Sequence, residues 1–152
     1  MTGQADDGVV CVIGAGYVGL VTAAGLAERG REVRVVEVDP ERRAAVSAGR
    51  APIHEPGLDQ VLSAVVGAGR LRAVESMGEG VAGAGIVIVA VGTPPTADGE
   101  ADLAQVHAAV DAAVEHATPG AVVAIKSTVN SLRGVLVGWG KLERKATVRA
   151  TT

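Results

Sequence analysis

Residues 9–30, VVCVIGAGYVGLVTAAGLAERG, decide the fold of this chain. The opening run VVCVIGA is short, rich in β-branched residues and bounded by glycine, which is typical of a buried strand. Residues 17–30 carry apolar side chains at helical spacing and stop at Gly30, a residue type common just beyond helix C-termini. The sequence therefore predicts a strand, a tight glycine turn and a helix.

The alternation of strand and helix continues along the chain. Further strands are predicted at 33–38, 71–74, 85–92 and 119–127, and further helices at 40–48, 58–69, 76–83 and 101–117. Strands separated by helices indicate parallel pairing through right-handed crossovers. We therefore predict an α/β fold, a Rossmann-type doubly wound parallel sheet, truncated after about the fifth strand.

Ligands bind such sheets beyond the carboxyl ends of the strands. This rule predicts a single ligand-binding rim formed by residues 14–19, 37–42, 91–96 and 126–128.

Composition narrows the class of protein. The 152 residues suffice for one domain, and a hydrophobic content of 48% with only 1% aromatic residues indicates an aliphatic core. The net charge of −3 gives no basic surface for nucleic acid. The start MTGQADDG is too polar for a signal peptide, and no apolar run is long enough for a membrane span. We therefore expect a cytoplasmic protein with neither nucleic-acid nor membrane partners. The sequence has one cysteine, Cys11, which allows neither a disulfide framework nor a thiolate metal site.

The turn after the first strand has the pattern Gly-x-Gly-x-x-Gly, formed by Gly14, Gly16 and Gly19. Between a strand and a helix this pattern predicts a dinucleotide site. Gly14 would allow the tight turn, Gly16 the approach of a pyrophosphate, and Gly19 close packing of the helix on the strand. The unpaired amides at the helix start would bind the phosphates. The alternative interpretation is an ordinary strand–helix turn.

An acidic residue follows the second strand at the spacing expected for a ribose ligand. Glu37 lies 18 positions beyond Gly19, close to the separation of about 20 typical of such acids. A carboxylate there would repel the 2′-phosphate of NADP, so NAD is the expected cofactor. Asp39 is the alternative ribose ligand. Arg42 is a candidate for the adenosine ribose or phosphate, although a solvated surface arginine is an equally simple interpretation.

Five motifs resemble the N-terminal, NAD-binding domain of the UDP-glucose/GDP-mannose 6-dehydrogenase family. They are GAGYVGL (14–20), VVEVDPER (35–42), APIHEPGL (51–58), VGTPP (91–95) and KSTV (126–129). The third is the most discriminating, because it resembles the family pattern S-P-I-x-E-P-G-L, whereas Glu37 stands where the family usually has Asp. Members of the family oxidise the C6 alcohol of a nucleotide sugar twice, using two molecules of NAD.

The resemblance implies roles for individual residues. Thr93 would line the cofactor, Ser127 and Val129 would contact it through the backbone, and Thr128 would position a water or substrate oxygen near the nicotinamide. For the two threonines, capping of a loop or helix end is the alternative, and Glu55 is expected to be structural. The complete predicted cofactor set is Gly14, Gly16, Tyr17, Val18, Gly19, Glu37, Arg42, Val91, Thr93, Pro94, Ser127 and Thr128.

The resemblance ends after residue 129, where the family continues with proline and a helix. Residues 130–152 hold five of the 14 basic residues and one of the 17 acidic ones, so composition shifts here. We therefore divide the chain into an NAD-binding domain, 1–129, and a divergent basic tail, 130–152, expected to be irregular or disordered. A reading-frame change or a truncation would account for the shift.

The family's catalytic cysteine motif and sugar-binding domain have no counterpart after residue 129. Cys11 does not replace that cysteine, because it lies within the first strand. Three hypotheses follow: a cofactor-binding half without turnover of its own, half of a split enzyme that handles a nucleotide sugar once a C-terminal half is supplied, or a nucleotide-sensing module acting through a partner chain. A sheet that stops at the fifth strand would also expose an edge, so self-association is expected.

Overall fold

The computed structural model describes residues 8–126 and 146–150. Their strands form one parallel sheet of six strands in the order β3-β2-β1-β4-β5-β6. The strands are β1 (Val9–Ile13), β2 (Val33–Val36), β3 (Leu71–Val74), β4 (Ala84–Val89), β5 (Ala121–Ile125) and β6 (Ala146–Ala150). The predicted Rossmann-type doubly wound sheet and its first five strands are confirmed.

Five helices connect the first five strands. They are α1 (Tyr17–Glu28), α2 (Pro40–Ser47), α3 (Leu58–Gly67), α4 (Met77–Val81) and α5 (Ala104–His116). The predicted end of the first helix at Gly30 is also confirmed, because this glycine has φ +93° and donates its N–H to the carbonyl of Ala27.

The core consists of two apolar layers, one on each face of the sheet. Along β1, Val10 and Val12 pack into the layer covered by α1 and α3, whereas Cys11 and Ile13 pack into the layer covered by α4 and α5. This alternation follows from the two-residue period of a strand. Because both faces of β1 are buried, its sequence is apolar throughout, as the aliphatic composition predicts.

The sixth strand was not predicted. Residues 146–150 pair in parallel with β5, with Ala146 opposite Ala121 and Ala150 opposite Ile125. For these five residues the expectation of irregular structure was wrong, and β5 is not the edge strand of the sheet. Thr147 and Val148 are β-branched, and pairing satisfies the backbone groups along β5. This strand was missed because residues 130–152 as a whole are rich in basic side chains. The rest of the predicted tail lies outside the described residues.

The strand order changes direction beside β1. From β1 the chain proceeds outward through β2 to β3, then crosses back to β4 on the other side of β1 and proceeds outward through β5. A crevice opens at the carboxyl ends of the strands at such a switch point, and it is the usual ligand site of doubly wound folds. Within the described part of the chain, no helix has the length and apolarity needed to cross a membrane.

Candidate dinucleotide-binding site

A cavity of about 740 Å³ lies at the switch point. Its walls come from the glycine turn after β1, the end of β2, the end of β4 and the helices α4 and α5. The lining residues are Ile13, Gly14, Ala15, Gly16, Val36, Glu37, Val38, Asp39, Arg42, Met77, Ala90, Val91, Gly92, Gln105, Ala108 and Ala109. The volume is that of a typical small-molecule site, and three of the four predicted rim segments contribute to it.

The three glycines of the turn meet different surroundings. Gly14 has φ +101°, and a Cβ placed on it would lie 2.8 Å from the carbonyl oxygen of Ala90. A Cβ on Gly19 would overlap the carbonyl oxygen of Gly14. Around Gly16, by contrast, a Cβ would meet no atom within 4 Å. The fold itself therefore requires the first and third glycines, whereas the second leaves open space beside the cavity.

The start of α1 faces this space with unpaired donors. Gly16 is the N-cap residue with φ −76° and ψ −173°, it supplies no capping side chain, and the first turn contains no acidic residue. The first helical bond runs from the amide of Leu20 to the carbonyl of Gly16. The amides of the first turn and the positive end of the helix dipole thus form an anion-binding site of the kind that holds phosphates.

Glu37 connects the end of β2 to the glycine turn. Its side chain is buried, and Oε2 accepts a hydrogen bond from the amide of Ala15 at 3.2 Å. The other oxygen, Oε1, accepts from the amide of Asp39 at 2.9 Å. A carboxylate fixed by two backbone amides is held at the cavity wall, where it could accept bonds from the hydroxyls of a ribose.

Arg42 lies against this carboxylate. Its Nε is 3.6 Å from Oε2 of Glu37, and its Nη2 donates to the carbonyl oxygen of Ala15 at 2.9 Å. The backbone of Ala15 is therefore bonded on both sides, because its N–H donates to Glu37 and its C=O accepts from Arg42. The second interpretation of Arg42, a solvated surface arginine, does not describe these contacts.

Asp39, the alternative ribose ligand, has another task. Its Oδ1 accepts hydrogen bonds from the amides of Glu41 and Arg42, both at 2.9 Å, so it caps the start of α2. Pro40 occupies the first position of that helix, where its missing N–H is not needed. Asp39 and Glu37 both line the cavity and both accept bonds from backbone amides, so these contacts do not by themselves choose between them as the ribose ligand.

The remaining predicted site residues are distributed around the cavity. Val91 lines it, and the carbonyl of Pro94 accepts from the amide of Asp102 at 2.8 Å within the loop after β4. Tyr17 and Val18 are exposed and lie outside the cavity lining, as do Gly19 and Thr93. The Tyr17 hydroxyl donates to the carbonyl of His54 at 3.2 Å, which connects the glycine turn to the loop at 51–58. Ser127 and Thr128, and the neighbouring Val129, lie outside the described residues.

Sequence reasoning missed the wall opposite the glycine turn. Met77 begins α4, while Gln105, Ala108 and Ala109 lie on the first turns of α5. Gln105 is one of two polar residues in the first turn of α5, together with His107, and no signal in the sequence singles it out. Val38, between the two acids, is 75% exposed and adds an apolar rim to the cavity.

The single cysteine is inert in this structure. Cys11 is completely buried in β1, and desolvation raises the pKa of its thiol to about 12, although the charge of Arg34 acts in the opposite direction. A neutral, inaccessible thiol is not a nucleophile. Within the described residues, no group of His, Cys, Asp and Glu side chains is arranged to hold a metal ion.

Comparison with known proteins agrees with this geometry. The sequence model of the UDP-glucose/GDP-mannose dehydrogenase family, NAD binding domain, matches residues 9–134. The UDP-glucose 6-dehydrogenase of Pseudomonas aeruginosa is 49% identical over 120 residues, which are 79% of this chain and 26% of that protein. The GDP-mannose 6-dehydrogenase of Azotobacter vinelandii is 33% identical over 123 residues, 79% of this chain and 28% of that protein.

Solved structures show the same similarity. A UDP-glucose dehydrogenase from Pyrobaculum islandicum superimposes with a TM-score of 0.81 at 36% identity, over 94% of this chain and 34% of that one. A ternary complex of GDP-mannose dehydrogenase from Pseudomonas aeruginosa gives 0.84 at 26% identity, over 93% and 35% of the two chains. The 152 residues therefore span about a quarter to a third of the length of these relatives.

Proposed function

Because the chain belongs to the UDP-glucose/GDP-mannose dehydrogenase family and carries its NAD-binding domain, we propose that it binds NAD at the switch-point cavity as the cofactor half of a nucleotide-sugar 6-dehydrogenase. The observation that carries the site is the contrast among the three glycines. Gly14 and Gly19 are required by contacts within the fold, whereas Gly16 borders open space at an uncapped helix start. A Cβ on Gly25 in the same helix also meets no atom, but only the open space at Gly16 borders the cavity and the start of the helix, where a ligand could approach the backbone.

In this proposal the diphosphate of NAD binds the amides at the start of α1, including those of Tyr17 and Val18. Backbone donors there need no side chain to point inward, which is consistent with the exposure of both side chains. Gly16 leaves room for the phosphate oxygens. The charge of the diphosphate complements the positive end of the helix.

The adenosine ribose binds beside Glu37 and Arg42. The carboxylate accepts bonds from ribose hydroxyls while it keeps its bonds to the amides of Ala15 and Asp39. Each carboxylate oxygen has more than one lone-pair site, so both sets of bonds are compatible. We propose this contact as the origin of a preference for NAD over NADP.

The nicotinamide half of the cofactor extends toward the ends of β4 and β5. Val91, Thr93 and Pro94 would line this part of the site, together with Ser127, and Thr128 would position a water or substrate oxygen. The support for the first three is their place in the loop after β4, at the rim of the cavity. When bound there, NAD supplies the acceptor for a hydride from the sugar alcohol.

Turnover of UDP-glucose by the 152 residues alone is not expected. Relatives with that activity in their names are about three times as long, and the single cysteine of this sequence is buried with a raised pKa. We propose that the nucleotide sugar binds only when a C-terminal half is supplied. The division of the chain at residue 130 is a proposal supported by the shift in charge there. A cytoplasmic location is a separate proposal.

A titration of the purified chain with NAD tests the binding site, and calorimetry without measurable heat at millimolar NAD would refute it. NADH formation with UDP-glucose, followed at 340 nm, tests the division of labour, with the full-length Pseudomonas aeruginosa relative as positive control. We expect no NADH from this chain alone. Activity restored by the separately produced C-terminal part of that relative would favour the split-enzyme hypothesis over the cofactor half.

A nucleotide-binding module that acts through a partner chain remains the second candidate. Its support is the excess of basic residues in 130–152 and the apolar outer side of α1, where Val18 and Val21 are each nearly half exposed. The same exposed side chains, together with β6 as the outermost strand of the described part of the chain, replace the β5 edge as the proposed origin of self-association. Sedimentation of the chain over a range of concentrations measures this association directly.

A further inference from the structure

Glu37 and Arg42 form a charge pair at the adenosine end of the proposed site, and the pair has a consequence for cofactor selection. We propose that Arg42 is a latent binding group for a 2′-phosphate, held away from that task by Glu37, so that one carboxylate alone excludes NADP. This inference rests on the proposed NAD site and adds to it the residue that would bind the phosphate.

The distances place a cation where a 2′-phosphate would lie. If the ribose hydroxyls contact the Glu37 carboxylate, a phosphate on the 2′-oxygen lies beside that carboxylate. Arg42 Nε is 3.6 Å from Oε2 of the same group. A guanidinium near the end of β2 is the group that accommodates this phosphate in NADP-binding doubly wound folds.

Arg42 also has donors and freedom to spare. Its side chain is 39% exposed, and its Nε is buried without a hydrogen-bond partner. One bond, from Nη2 to the carbonyl of Ala15, fixes it in addition to the charge of Glu37. A planar guanidinium can bind phosphate oxygens through two parallel hydrogen bonds. Because Arg42 already lies beside Glu37, a phosphate next to that carboxylate would be close to the guanidinium.

The neighbouring Arg43 does not fit this role. Its Nη1 donates to the carbonyls of Glu37 and Val38 at 2.9 and 3.1 Å, and its Nη2 forms an ion pair with Glu75 at 3.4 Å. These contacts hold the turn between β2 and α2 and direct the group away from the carboxylate. Arg42 is therefore the cation that the inference assigns.

Substitution Glu37→Gln tests the assignment in the full 152-residue chain. Glutamine keeps the length and one acceptor for the Ala15 or Asp39 amide, but it removes the negative charge. NAD and NADP affinities are measured by calorimetry for the wild type, Glu37→Gln, Arg42→Gln and the double variant. We expect Glu37→Gln to tighten NADP binding by about tenfold or more, because a charged hydrogen bond replaces a repulsion, and Arg42→Gln to abolish that gain.

Arg50→Gln is the matched control, since it removes the same charge beyond the other end of α2. In the Glu37→Gln background it should leave the gain in NADP affinity intact. In the wild-type background Arg42→Gln should leave the gap between the NAD and NADP affinities unchanged, because Glu37 holds the guanidinium away from the phosphate. Glu37→Ser, measured with and without Arg42→Gln, takes the place of Glu37→Gln if that variant fails to fold.

The outcomes separate the inference from the proposal beneath it. No NAD binding by the folded wild type refutes the proposed function and the inference together. NAD binding with no gain of NADP affinity in folded Glu37→Gln, or a gain that survives Arg42→Gln, refutes the inference alone. A selective loss of NADP affinity in Arg42→Gln alone also overturns it, because Arg42 would then already bind the phosphate in the presence of Glu37.

Discussion

Replacement of Gly16 by alanine should weaken NAD binding roughly tenfold to a hundredfold while leaving the fold intact. The residue has φ −76° and ψ −173°, a conformation that alanine adopts without strain. A Cβ at this position meets no protein atom within 4 Å, so the added methyl group occupies space that only a ligand would fill. Gly19→Ala provides the contrast, because its Cβ overlaps the Gly14 carbonyl oxygen.

The two variants differ in expected magnitude as well as in kind. For Gly16→Ala, a poorer N-cap costs about 1 kcal/mol, and the less flexible unfolded chain returns about 0.4–1 kcal/mol, so the net change in the free energy of unfolding is small. Displacing the diphosphate should break at least one charge-assisted hydrogen bond, about 1.5–3 kcal/mol, which weakens the Kd roughly tenfold to a hundredfold. Overpacking at Gly19 should lower the free energy of unfolding by about 1–3 kcal/mol.

Urea unfolding and calorimetry with NAD measure both quantities on the same preparations. Gly25→Ala is the control within α1, because its Cβ also meets no atom but lies two turns from the helix start. It should keep NAD affinity and raise the free energy of unfolding by up to about 1 kcal/mol. The reasoning is refuted if folded Gly16→Ala binds NAD as the wild type does, or if it loses as much stability as Gly19→Ala.

Further outcomes are expected at four places in the chain. Cys11 should not react with Ellman's reagent at pH 8 unless urea is added. Because burial raises the pKa of this thiol from 9.0 to about 12, the folded state binds its proton more tightly, and stability relative to Cys11→Ala should fall as the pH rises above about 9. Asp39→Ala removes the cap of α2 and should lower the free energy of unfolding by about 1 kcal/mol in urea titrations. Gly80→Ala should lower the melting temperature, since its Cβ overlaps a methyl group of Val36. A chain ending at residue 145 should melt lower and associate more in sedimentation, because β5 loses its neighbour.

The fold was predictable where a local pattern carried it. The β-branched runs at β1 and β2 and the glycine turn between β1 and α1 specify the first crossover. The alternation of strand and helix predicts parallel pairing, but it does not predict that β4 lies on the opposite side of β1 from β2. The candidate site shares this predictability on one side only, because the glycine turn and Glu37 belong to segments with recognisable spacing.

The other side of the site depends on tertiary packing. Met77 and Gln105 reach the cavity because α4 and α5 cover the same face of the sheet, and no local pattern announces which residue of a helix will face a ligand. The strand at 146–150 was missed for a related reason. Its five residues are few and lie within a basic tail without a recognisable pattern, and they form a strand by pairing with β5.

Glu37 both holds the glycine turn and faces the proposed ribose site, so a substitution at this position can affect the turn as well as cofactor preference. Its carboxylate holds the Ala15 amide and thereby the glycine turn, and the same oxygens would receive the ribose. Arg42, which forms an ion pair with this carboxylate, donates a hydrogen bond to the Ala15 carbonyl. The shape of the phosphate-binding turn and the choice of nucleotide therefore depend on one charge pair. A substitution that changes cofactor preference here must also loosen the turn unless an acceptor remains for the Ala15 amide. Glutamine at position 37 should therefore tolerate NADP better than alanine would, since alanine removes the charge and the acceptor together.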